Sequence, residues 1–219
     1  SEFVACGVQL LNEDGSSQIS GNYFMKGGLN NLLPLPILGN MIRWLGQSLQ
    51  VKKPNIPDSN SLVEVDWING AFLMVKKTAI EQAGLLDEDF FLYAEEIEWC
   101  SRLRKAGPLC IYGDLKVTHL QGETANINFG SSGKGYYNLY DKKGAQILVS
   151  NFLRIRKQFG IGWFLFQLCI YLFDIPVLAL GVLLSYILGK DNYPFAMLKG
   201  FVKNMLVLLK FSPKIFSNK

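Results

Sequence analysis

Between Trp163 and Leu188 the chain runs for 26 residues with one charge, Asp174. A stretch this apolar needs apolar surroundings, and it is long enough to cross a bilayer core, which takes about 20 such residues. Its peptide groups must pair within the segment, which makes it helical. Asp174 and Pro176, near its middle, predict two shorter helices in a re-entrant or in-plane hairpin more readily than one straight span. The flanks carry related signals. Phe152–Phe159 alternates basic and apolar residues. Phe195–Phe211 places Lys199, Lys203 and Lys210 at spacings of four and seven, on one face of a basic amphipathic helix of the surface-lying kind. An ordinary packed helical subdomain shares this pattern.

Charge divides the chain at the same point. Residues 1–149 hold 13 Lys and Arg against 16 Asp and Glu, a net of −3; residues 150–219 hold 9 against 2, a net of +7. We therefore read 1–149 as a soluble domain and 150–219 as an all-α tail meeting anionic lipid at the cytoplasmic face of the cell membrane. Nucleic acid is not expected as a partner, because the basic residues are interleaved with aliphatic runs. Cys6, Cys100, Cys110 and Cys169 lack paired spacing and read as small buried apolar residues.

Within 1–149, Phe3–Leu11 reads as a buried strand and Asn12-Glu13-Asp14-Gly15 as a turn. Residues 20–60, rich in Gly, Asn and Pro, read as a long loop with one helix around Ile37–Leu49, either a substrate lid or a flexible insertion. Strands follow at Val63–Val65 and Gly70–Val75. A short helix is then capped by Thr78, with Glu81 as its capping-box partner, and closed by Gly84. A second helix runs from about Ala94 to Ala106, and two strands, Leu109–Tyr112 and Lys116–His119, complete an α/β pattern.

Six of the 18 acids fall in twelve residues: Asp87, Glu88, Asp89, Glu95, Glu96 and Glu98. Acids suit a helix N-terminus on dipole grounds alone. The intervening Phe90-Phe91-Leu92-Tyr93 would hold them in a partly desolvated pocket, where a raised pKa equips a carboxylate as a general base. The single histidine, His119, ends a strand before Gly122, the position where α/β folds bind ligands, although no second histidine or cysteine stands at ligand spacing. Gly130–Gly135 lacks the pattern of a phosphate loop.

Two motifs carry a resemblance. Trp67-Ile68-Asn69-Gly70-Ala71 resembles the "W-x-x-G-A" strand of family 2 glycosyltransferases of the rhamnosyl- and galactofuranosyltransferase type. Gly84 to Arg102, with Asp87-Glu88-Asp89-Phe90-Phe91 and Glu95-Glu96-Ile97-Glu98, is similar to that family's "G-x-F-D-E-x-F-F-x-Y-x-E-D-x-D-x-x-x-R" signature. Gly7–Gly21, with its "L-x-N-x-D-G-x-x-Q-x-S-G" pattern, is similar to the segment that follows the family's metal-binding Asp-x-Asp. The resemblance implies a GT-A fold, of which residues 1–149 would be the C-terminal, acceptor-side half, with no Asp-x-Asp or nucleotide-binding half before Ser1. It implies an inverting, metal-dependent enzyme of surface polysaccharide synthesis. A nucleotide-diphosphate sugar would be the donor, and a glycan or lipid-linked glycan the acceptor.

Carried over by position, the resemblance makes Glu96 the base that deprotonates the acceptor hydroxyl, with Glu95 supporting it. His119 becomes a ligand of a divalent metal, Mg²⁺ or Mn²⁺. Glu96 and Glu98 stand where the family usually has Asp. Trp67, Gly70, Ala71, Asp87 and Tyr93 are the implied substrate contacts, Trp67 and Tyr93 by stacking on a sugar. Without the donor half the chain is expected to be inactive alone. A non-catalytic acceptor- or partner-binding remnant at the membrane is the alternative.

Overall fold

The computed structural model describes residues 3–23, 29–51, 55–56, 58–120, 127–131 and 138–217. The chain forms two compact units. One joins Ser1–Met25 to Lys52–Gln121, and the other joins Lys26–Val51 to Gly122–Lys219. The expected 149/150 boundary falls inside a helix of the second unit. Regrouped this way, the charge contrast sharpens. The first unit has 8 basic and 14 acidic residues, net −6; the second has 14 and 4, net +10.

The first unit is α/β. Strand β1 (Ala5–Leu11) is central, paired in parallel with the long strand β7 (Leu109–Thr118) and antiparallel with the short β6 (Met74–Val75). Strand β4 (Leu62–Val65) closes the mixed sheet against β7, giving the order β4-β7-β1-β6. A small antiparallel sheet combines β2 (Gly21–Asn22), β3 (Asn55–Ile56) and β5 (Trp67–Ile68). Helices α2 (Lys77–Ala83) and α3 (Glu95–Leu103) pack Ala79, Cys100 and Leu103 onto a core with Ala5, Ile68, Leu109 and Ile111.

Three local expectations for this unit are corrected. The two strands before and after Gly113 are one strand, β7, whose register against β1 jumps from Val8–Tyr112 to Gln9–Lys116 and so bulges out three residues. Gly70–Val75 is not one strand. Asn69 Oδ1 accepts from Ala71 N (3.0 Å) and Phe72 N donates to Asn69 O (3.2 Å), turning the chain before β6. Lys76, not Thr78, is the N-cap of α2, and its side chain makes no capping bond; Gly84 at φ 76° does close the helix.

The second unit is helical: α1 (Leu38–Ser48), α4 (Lys142–Ile187) and α5 (Phe195–Ser217). The Asp141 carboxylate caps α4 by accepting from Gly144 N at 2.9 Å. The break expected at Asp174 and Pro176 lies instead at Gly160, whose φ of 85° and ψ of −179° are non-helical. Phe152 and Tyr171 would stand about 28 Å apart along a straight helix. Their rings meet edge-to-face at 5.1 Å, and Phe152 meets Phe164 at 5.9 Å, so α4 folds back at Gly160. Only glycine adopts that φ cheaply. Beyond it the helix continues unbroken through Asp174 and Pro176.

Residues 29–51 are packed into the helical unit, not a loose insertion. Arg154 donates to Asn31 Oδ1, and the Tyr171 hydroxyl donates to Asn31 O at 2.5 Å. Helix α5 buries Phe201, Met205 and Leu208 and leaves Lys199, Lys203 and Lys210 exposed, the amphipathic pattern expected of it. Among the cysteines, Cys100 and Cys110 are buried, whereas Cys6 is half-buried and Cys169 exposed, contrary to expectation. Cys169 lies on the α4 run, only 22% of whose most apolar 18-residue stretch is buried. By length and composition α4 could cross a bilayer.

Candidate functional site

The expected catalytic acids stand at the N-terminus of α3. Its first turn carries Glu95, Glu96 and Glu98, where the unpaired backbone N–H groups favour negative charge. The chain enters through two consecutive left-handed residues, Tyr93 at φ 70° and Ala94 at φ 66°. Such conformations cost on the order of 1–3 kcal/mol each and persist only where packing enforces them. Ala94 is fully buried and Phe90 nearly so, which anchors the turn. Phe91, by contrast, is 82% exposed, so the aromatic run encloses the acids on one side only.

Gly70 meets Glu96 across this entry. A Cβ built on Gly70 would lie 3.4 Å from Glu96 Cβ and Cγ and 3.9 Å from its carboxyl carbon. Glycine at position 70 thus leaves the backbone beside Glu96 without a side chain, with exposed Ala71 adjacent. Cys100 Sγ lies 3.9 Å from Ile68 O, tying α3 to β5. Burial pushes the Cys100 thiol up to about 12, with neighbouring Glu96 adding to the effect, so it is no nucleophile. Among the described residues, Trp67 Nε1, a donor, and Glu95 Oε2, an acceptor, are buried without a hydrogen-bond partner. Buried polar groups are rarely left so; Trp67 itself lies in the core of the unit with Ile68 and Leu109.

Asp87 is occupied locally: its Oδ1 accepts from Asp89 N at 3.0 Å. Glu98 is committed to Arg102, which donates Nε and Nη2 to its carboxylate at 2.8–3.0 Å. Arg102 also donates to Ala83 O and to Leu85 O, and Trp99 Nε1 donates to Gly84 O at 2.8 Å. This lattice ties the Gly84–Asp89 loop to α3.

His119 sits past the end of β7, its N–H bonded to Leu11 O at 2.9 Å. Gln18, which the sequence reading did not single out, governs its ring. Gln18 Nε2 donates to His119 O (2.6 Å) and Leu11 O (3.2 Å), which leaves Oε1 facing His119 Nδ1 at 3.0 Å. An acceptor there puts the proton on Nδ1 and leaves the Nε2 lone pair available, the tautomer of a metal-ligating imidazole. Among the described residues no group of three or more His, Cys, Asp or Glu could hold a metal ion. A hard divalent cation takes about six or more oxygens, so the described residues do not by themselves compose a Mg²⁺ or Mn²⁺ site.

The same segment links the two halves of the site. Asn69 N donates to Ser20 O (2.9 Å) and Asn69 Nδ2 to Ile19 O (3.2 Å), so Gln18–Ser20 touches His119 at one end and the Asn69–Gly70 turn at the other. The signal for it was the Gln18-x-Ser20-Gly21 spacing after the Asp14-Gly15 turn. Gln18→Leu removes the Nδ1 acceptor. With one histidine in the chain, ¹⁵N-resolved NMR of the imidazole should show an Nδ1–H tautomer in the wild type and its loss in Gln18→Leu. An unchanged tautomer would remove Gln18 from this role.

No family model matches the chain. Short stretches do resemble curated enzymes. Over 53 residues (24% of this chain, 17% of the relative) it is 42% identical to the low-salt glycan biosynthesis hexosyltransferase Agl10 of Haloferax volcanii. Over 48 residues (22% and 16%) it is 42% identical to an N-acetylglucosaminyl-diphospho-decaprenol L-rhamnosyltransferase of Mycobacterium tuberculosis. Over 74 residues (33% and 27%) it is 32% identical to the rhamnosyltransferase WbbL of Escherichia coli. The matches thus span about a sixth to a quarter of those enzymes' lengths. Through these stretches the chain is related to rhamnosyl- and hexosyltransferases.

Proposed function

We propose that this chain is the acceptor-side part of an inverting family 2 glycosyltransferase of GT-A fold. It transfers a sugar from a nucleotide diphosphate to a glycan or lipid-linked glycan acceptor at the cytoplasmic membrane surface. The observation that carries the reading is the apposition of Gly70 and Glu96 at the strained entry to α3. A carboxylate at a helix N-terminus, with a glycine rather than a side chain beside it, can receive a sugar hydroxyl. The names of the related enzymes, which include a lipid-diphosphate rhamnosyltransferase, support the substrate class.

In this mechanism the acceptor oxygen attacks the anomeric carbon as its hydroxyl proton passes to Glu96. The bond from that carbon to the diphosphate breaks, and the diphosphate leaves with the electron pair. Displacement in line inverts the anomeric centre. Tyr93 orients the acceptor, and Glu95 Oε2 accepts from a second hydroxyl. His119, through Nε2, would hold one position of a divalent metal, Mg²⁺ or Mn²⁺, which when bound would neutralise the departing diphosphate.

The test is a transfer assay with membranes from cells expressing the complete gene. A panel of radiolabelled nucleotide-diphosphate sugars is offered with lipid-diphosphate-linked acceptors. Gene-dependent labelling of a lipid-linked product, with inverted anomeric configuration by NMR, is expected. Absence of any gene-dependent product across the panel would sink the reading.

A further inference from the structure

Helix α1 carries an apolar face that the described residues cover at one end only. On a 100° helical wheel, Leu38, Met41, Ile42, Trp44, Leu45 and Leu49 fall within one arc, while Asn40, Arg43 and Gln47 take the opposite side. The first turn of that face is packed: Ile37, Leu38 and Ile42 join the core of the helical unit. The rest is open. Met41 is 54% exposed, Trp44 65% and Leu49 74%.

The helix is nevertheless held firmly. Asp174, fully buried on α4, accepts from Leu38 N at 3.3 Å, a carboxylate capping the N-terminus of a helix whose own N-cap, Ile37, supplies none. Ile37 packs against Gly181, where a Cβ would lie 2.6 Å from Ile37 Cδ1. Arg43 donates to Leu33 O at 2.6 Å. Helix α1 thus starts against α4 at the level of Asp174 and Gly181, where Phe173, Leu180 and Leu184 are themselves exposed.

We propose that α1 is a further membrane-inserting element, which enters the acyl-headgroup boundary of an anionic bilayer together with α4 and α5. The inference rests on the membrane-surface reading above. Three observations select lipid over a second copy of the chain. The helical unit carries a net +10, so two copies would bring like charge together, whereas an anionic leaflet is complementary. Residues 26–51 contain Lys26 and Arg43 and no acid. Trp44, on the open face, is the residue type enriched at bilayer interfaces. Asp174 explains why so short a helix keeps its place: a buried carboxylate holds its N-terminus from another helix.

Flotation of the 219-residue chain with vesicles of phosphatidylcholine, with and without phosphatidylglycerol, tests this. The wild type should float with anionic vesicles. Trp44→Glu/Leu49→Glu, at exposed positions, should keep its circular dichroism and lose vesicle affinity by at least about tenfold. Independently, brominated lipids should quench tryptophan emission less in Trp44→Phe than in the wild type. If the wild type floats, and the double variant floats equally with Trp44 unquenched, α1 is not an inserting element while the membrane reading stands. If the wild type itself does not float, both readings fall. Concentration-dependent dimerisation abolished by Trp44→Glu/Leu49→Glu would instead assign the face to a second copy and overturn the proposal.

Discussion

Glu96→Gln in the complete enzyme is expected to lower kcat by about 10²–10⁴-fold, the range typical of a lost general base, with little change in donor binding. The substitution keeps shape and hydrogen-bonding capacity and removes only the proton acceptor. The expectation follows from three features that converge on one side chain. Gly70 places no side chain against Glu96 Cγ and Cδ. The N-terminus of α3 favours its charge. The left-handed Tyr93 and Ala94, held by the burial of Ala94 and Phe90, aim the first turn of the helix. Glu95 is the control. Adjacent helical residues diverge by about 100°, so only one of the pair can address the hydroxyl. Glu95→Gln should lower kcat less. Near-normal kcat in Glu96→Gln would remove the assignment, and a selective collapse in Glu95→Gln would transfer it to its neighbour. Steady-state kinetics on both variants decides.

Arg102→Ala is expected to destabilise the α/β unit by about 3–5 kcal/mol, because it strands a buried carboxylate. Glu98 is 6% exposed, and Arg102 is the partner that its carboxylate engages through both Nε and Nη2. The same guanidinium holds Ala83 O and Leu85 O, so its removal also frees the loop that carries Asp87. Arg102→Lys keeps the charge and loses the planar fork, and it should fall between the two. Urea unfolding followed by tryptophan fluorescence measures this, with Trp99 in the affected lattice. A loss below about 1 kcal/mol for Arg102→Ala would place the pair with ordinary surface ion pairs.

Much of the secondary structure was legible in the sequence, because the signals for β1, α1, α3 and α5 lie within about ten residues of one another. Alternating or 3.6-residue periodicity, the turn at Asn12–Gly15 and the stop at Gly84 need no distant partner. The acid-rich start of α3 was legible for the same reason. Other features were not. Gly160 in sequence is one glycine among 21, and its φ is dictated by the meeting of Phe152 with Tyr171. Pro176 and Asp174 signal a break locally, yet Asp174 is consumed in capping α1 and the helix runs on. Gln18 and His119 are separated by 101 positions, and Gly70 and Glu96 by 26. Those approaches exist only once β1 has paired with β7 and α3 has packed on β5. The residue types capable of acid–base chemistry were determined by the sequence alone. Which of them share a site, and which hold the chain together, was decided by long-range pairing, since contacts that close loops of this length leave no local periodic trace.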